Sequence, residues 1–182
     1  MNDRPHSGML GIYLNDHLAG ATAGVARARH LVRSTHDRPL AEALEPVAAE
    51  IVQDRTSLLG IMHDLDVPVR RHKVCAGWTV EKVARLKANG RLVRRSPLTT
   101  VLELEMLRLG IEGKTAAWQL LLRLAATEER LDPGLLDGLL RRARRQQDVV
   151  EQWRLRQASA ALQQGEATRS RRSPGLVAHP FL

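Results

Sequence analysis

At 182 residues the chain has the length of one domain with room for a real core. Its hydrophobic content of 43% excludes a disordered protein, and its lone cysteine, Cys75, excludes both an internal disulfide and a cysteine-rich zinc site. The formal net charge is +8, and only three Trp, one Tyr and one Phe are present, so the core must be aliphatic. No apolar run approaches the ~20 residues of a membrane span. The start lacks the basic-then-apolar pattern of a signal peptide. These features lead us to expect a cytoplasmic protein.

Ala, Leu, Arg and Glu favour helix, and the pattern reads as all-α. The first helix is expected from about Gly8 to Arg33. Steps of 100° place Leu10, Leu14, His17, Ala21, Val25, Ala28 and Val32 on one face, with Asn15, Arg29, His30 and Arg33 opposite. Within it, AGATAGVA (19–26) has little bulk and admits a close neighbour, at a propensity cost of about 1 kcal/mol per glycine.

The second helix is expected from about Arg38 to Leu65. Asp37 is its N-cap and Pro39 lies in its first turn. Its stripe reads Leu40, Leu44, Val47, Ile51, Arg55, Leu58, Met62 and Leu65. Pro46 predicts a kink or a late start.

Between the second and third long helices lies VPVRRHKVCAGWTVEKVARLKANGRLVRRS (67–96). Trp78, Val80, Val83 and Leu86 predict a short helix over 77–89, ending near Asn89-Gly90. The third long helix starts at Ser96-Pro97 and runs to about Thr127. One face carries Leu98, Leu102, Glu105, Leu109, Glu112, Ala116 and Leu120. A second carries Leu104, Ile111, Trp118 and Leu122, for which the short helix is a natural cover.

The fourth helix follows Asp132-Pro133 and runs to about Leu162, with Leu135, Leu139, Arg142, Gln146, Val149, Trp153 and Ala160 inward. Residues 1–162 thus form one bundle domain, and 163–182 a basic, disordered tail. Four long helices with one long connection in the middle describe a bundle with a crossover, as in ferritin-like folds.

Each stripe is broken by polar groups: His17, Arg55, Glu105 with Glu112, and Arg142 with Gln146. With the second and third helices parallel, His17 and Arg142 fall about 12 Å from one end of the bundle, and Arg55 and Glu112 about 16 Å. A buried polar layer of His17, Asp54, Arg55, Glu105, Glu112, Arg142 and Gln146 is therefore expected. Opposite charges should meet in it, because unpaired buried charge costs several kcal/mol. The competing reading puts these side chains at the bundle's edge, with their heads in water.

Three stretches carry a resemblance: YLNDHLAGATAG (13–24), the Asp54-Arg55 pair, and LELEMLRLGIEGK (102–114). Through them the chain resembles uncharacterised bacterial helical proteins of ferritin-like architecture, over most of residues 9–160. The resemblance implies the fold and no assigned activity. Ferritin-like di-metal sites use a Glu on each of two helices and Glu-x-x-His on the other two. Here Glu50 is followed at that spacing by Gln53, His63 lies off the stripe, and Glu151 falls outward. Arginines stand where ligands would be needed, and a guanidinium stays charged. We therefore expect no metal and no cofactor.

No phosphate-binding loop, dinucleotide fingerprint, HExxH or nucleophile elbow occurs. Asp16 and His17 are neighbours on a helix and diverge by about 100°, which rules out a relay between them. Cys75, near Arg71 and Lys73, reads as packing rather than as a reactive thiol.

The positive charge is concentrated. Residues 67–97 hold nine basic groups and one acid, a net +8, whereas residues 1–66 carry a net −3. The candidates for binding a polyanion are Arg70, Arg71, Lys73, Lys82, Arg85, Lys87, Arg91, Arg94 and Arg95. Without interleaved aromatics, such binding would follow phosphate charge and not sequence. The expected function is therefore non-enzymatic: a bundle acting on an acidic protein or a polyanion through residues 67–97, with homo-oligomers also compatible. The alternative is a ferritin-like metal-binding or redox protein with non-standard ligands.

Overall fold

A computed structural model describes residues 5–70 and 97–172, with side chains from 8–70 and 98–165. The described residues form four helices and no strand: α1 (Pro5–Ser34), α2 (Arg38–Asp64), α3 (Pro97–Leu124) and α4 (Pro133–Arg172). The short helix expected over 77–89, and Cys75, lie outside the described residues.

The ends obey local chemistry. Asp37 Oδ1 accepts from the Leu40 N–H at 3.1 Å, capping α2 ahead of Pro39. At the other end of α2, Asp66 has φ 54°. Its N–H reaches His63 O while the Val67 N–H reaches Met62 O at 2.8 Å, a Schellman closure with Asp in the left-handed position usually held by glycine. Asp132 caps α4 by accepting from the Gly134 N–H at 2.8 Å, with Pro133 at the first helical position.

Two expectations about helix extent change. α2 runs unbroken through Pro46, whose exposed position leaves the missing N–H bond on the solvent side. α4 continues past Leu162 to Arg172, because QQGEATRSRR offers one glycine against a run of good helix formers.

α1 packs against α2 and α3, and α4 against α3 and α2, so α2 and α3 stand at opposite corners. Cross-links set the directions. His30 meets Glu103, Asp37 meets Gln157, and Asp66 meets Arg130. α2 and α3 therefore run the same way, with α1 and α4 antiparallel to both. The end of α2 and the start of α3 lie at opposite ends of the bundle.

The core is aliphatic and follows a seven-residue repeat. On α2 it reads Leu40, Leu44, Val47, Ile51, Asp54, Leu58, Ile61 and Leu65, all buried. On α3 it reads Leu104, Leu107, Ile111, Lys114, Trp118 and Leu121, and on α4 Leu136, Leu139, Ala143, Gln146 and Val150. These alternating steps of three and four belong to supercoiled bundles. In each of the three helices one step is polar.

On α3 the faces differ from expectation. Leu104, Ile111 and Trp118 are buried against the other helices and need no further cover. The other face, Leu98, Leu102, Leu109 and Leu120, is exposed among the described residues. Two flanking helices already cover α3's core side, so the second apolar face points outward. Asn15 also departs from its expected outward place. It is buried, donates to Gly11 O at 2.8 Å and Pro68 O at 3.1 Å, and accepts from the Arg70 N–H at 2.7 Å. It pins the chain leaving α2 to the flank of α1.

Candidate functional site: a buried charged layer

The three polar steps of the repeat meet at one level. Asp54 is 2% exposed and Gln146 1%. Lys114 crosses the bundle from the corner opposite α2, and its Nζ donates to Asp54 Oδ2 at 2.5 Å. The same ammonium donates to Gln146 Oε1 at 2.5 Å. Arg142 enters from α4, with Nε 2.7 Å and Nη2 2.5 Å from Asp54 Oδ1. Gln146 Nε2 donates to Glu50 Oε2 at 2.9 Å and to Asp54 Oδ2 at 3.2 Å. Arg142 also reaches Gln53 Oε1 at 3.4 Å.

Two carboxylates thus face two cations, with one amide bridging them. Burial pushes the Lys114 ammonium below the ordinary lysine range, while the Asp54 charge and hydrogen bond pull it up and Arg142 opposes them. Both Asp54 oxygens are occupied by cationic donors. The arrangement holds a charge network together and leaves the carboxylate no free edge. Among the described residues, no group of three or more His, Cys, Asp or Glu is placed to hold a metal ion.

The expected layer is only partly the observed one. Asp54, Arg142 and Gln146 belong to it. Arg55 turns to α1 instead and donates to Thr22 Oγ1 at 3.0 Å. Glu112 is exposed and accepts from Gln147, and Glu105 is 43% exposed beside Arg154 at 3.5 Å. Both lie on the outer edge of the α3–α4 seam, beyond the core side of α3. His17 is half-buried on the α3 side of α1, its ring 4.4 Å from that of Tyr13 and tilted by 58°. α1 therefore contributes no member to the network.

Lys114 and Glu50 complete the layer and were not expected in it. Lys114 had a signal: it lies seven residues from both Leu107 and Leu121. Of the basic candidates in 67–97, Arg70 is exposed and its backbone is held by Asn15. The other eight lie outside the described residues. Comparisons with protein-family models, with curated proteins and with solved structures find no match.

Two outcomes follow from the layer's geometry. Asp54→Ala strips the shared anion from Lys114 and Arg142 and should cost about 3–5 kcal/mol of unfolding free energy. Lys114→Met should cost less, since Arg142 still satisfies Asp54, and Glu112→Ala less than about 1 kcal/mol, as at an exposed site. Chemical denaturation of the three variants checks the order.

His17 gives a pH signature. Burial depresses its folded-state pKa below the ordinary 6.5, against the smaller opposing effect of Asp16. The unfolded chain then binds the proton more readily, so stability falls as pH drops below about 6.5 through the folded value. His17→Gln should flatten that acid limb in melts between pH 7.5 and pH 5, while Glu112→Ala should leave it in place.

Proposed function

We propose that the protein is a non-enzymatic helical bundle that binds a polyanion through the basic stretch 67–97. One observation carries this reading. The stretch leaves the bundle at a built anchor, where buried Asn15 grips Pro68 and Arg70 while the Arg70 side chain stays exposed. The interior charges neutralise one another around Asp54, so the unbalanced charge of the chain belongs to its surface. At physiological salt the screening length is about 8 Å, and the net −3 of residues 1–66 does not cancel the net +8 of residues 67–97 at short range. The parallel run of α2 and α3 also suits a bundle with one long crossover, the ferritin-like plan, with Lys114 and Arg142 standing where such proteins place metal.

The test is binding of fluorescent duplex DNA, RNA and anionic vesicles at low and moderate salt. The expected result is weak binding that falls steeply with salt, by a slope of about −0.9 per phosphate neutralised on duplex DNA. Arg91→Gln, Arg94→Gln and Arg95→Gln together should weaken it without altering helical content. Absence of binding at low salt, or equal binding by the triple variant, refutes the reading. So does stoichiometric iron, manganese or zinc in the purified protein.

A further inference from the structure

We propose that residues 71–96 seat their apolar side chains on the outward face of α3, along its seam with α1. The occupant is this chain's own segment, and three observations identify it. The first is the apolar face. Leu98, Leu102, Leu109 and Leu120 are 37–54% exposed along one side of a 28-residue helix, with Ala116 between them. Exposed leucines scattered singly need no explanation, but a row along one helix does.

The second is the seam beside that row. His30 faces Glu103 at 3.7 Å where α1 and α3 run antiparallel. Ten residues along each helix from this pair stand Gly20 and Gly113, with Gly24 and Gly110 close by. A Cβ at any of these four glycines would meet nothing within 4 Å. The seam is therefore an open trough at mid-height, with Leu109 on its outer α3 edge.

The third is where the segment starts and stops. Asn15 ties Arg70 to α1, the neighbour of α3, near the end where α2 finishes. Pro97 begins α3 at the other end. The 26 residues between must travel a bundle about 42 Å long, the length of α3. Even with 77–89 helical they reach about 60 Å. A start on α1 and a finish on α3 make the α1–α3 side the direct route; a path over α4 would first have to round the bundle. The sequence of the segment suits both sides of such a seat. Trp78, Val80, Val83 and Leu86 can face the leucines, and its eight Lys and Arg can face water.

The segment's own basic residues make trypsin the probe. The full chain, the L102D/L109D double variant and a free peptide of sequence 71–96 are digested under native conditions, with cuts mapped by mass spectrometry. A seated segment should be cut about tenfold or more slowly than the free peptide, because cleavage samples only the open state. The double variant should be cut near the peptide's rate while keeping its helical circular dichroism. If the aspartates unfold the bundle, L102S/L109S takes their place. Cutting of the wild type at the peptide's rate overturns the proposal, and so does an unchanged rate in the folded variant. A dimer that becomes a monomer in the variant, with no change in cutting, would assign the face to a second copy instead. No ligand enters this test, so its outcome is separate from that of polyanion binding.

Discussion

One carboxylate in an aliphatic core constrains the rest of the bundle. Asp54 takes an ammonium from the opposite corner and a guanidinium from α4, and Gln146 closes the ring. Desolvating four charged groups is expensive, and their attraction offsets it only when geometry and hydrogen bonds are complete. Sliding α2, α3 or α4 by one turn would separate the partners by about 5.4 Å and leave charge buried alone. The layer therefore acts as a lock on axial register, as a lone buried Asn does in a coiled coil. An all-aliphatic repeat would tolerate such slips far better.

The lock explains which parts of the architecture the amino-acid pattern made readable. The number of helices, their order and the Asp37 and Asp132 caps were legible because capping and periodicity are local. The membership of the layer was half legible. Steps of 100° track a straight helix, whereas these helices keep a seven-residue repeat that drifts from it by about 20° each heptad. On α2 that drift moved the inward position from Arg55 to Asp54. On α3 it hid Lys114 between Leu107 and Leu121. His17 and Asn15 illustrate a different limit. Their places depend on which helices flank α1 and on where the chain turns after Asp66, and no repeat within α1 encodes either.

The same division separates core from surface. Inside, two acids and two bases balance. Outside, the described residues of α3 present leucines, and the sequence concentrates its excess arginine and lysine between α2 and α3. A basic stretch that also carries Trp78, Val80, Val83 and Leu86 can satisfy both features at once: its apolar side chains suit the leucine row and its charged ones suit water or a polyanion. Burial of Lys114 belongs to the first half of that division. Its ammonium is depressed by burial and restored by Asp54, so its chemistry is spent on holding helices together.

The most direct measurement is a double-mutant cycle between Asp54 and Lys114, read by urea unfolding of wild type, Asp54→Leu, Lys114→Leu and the pair. If the two groups meet across the core, the effects must be non-additive. A coupling of about 1–3 kcal/mol is predicted, with the double variant less destabilised than the sum of the singles. Additivity within about 0.5 kcal/mol would mean that the two side chains do not share a buried network, and would contradict the account.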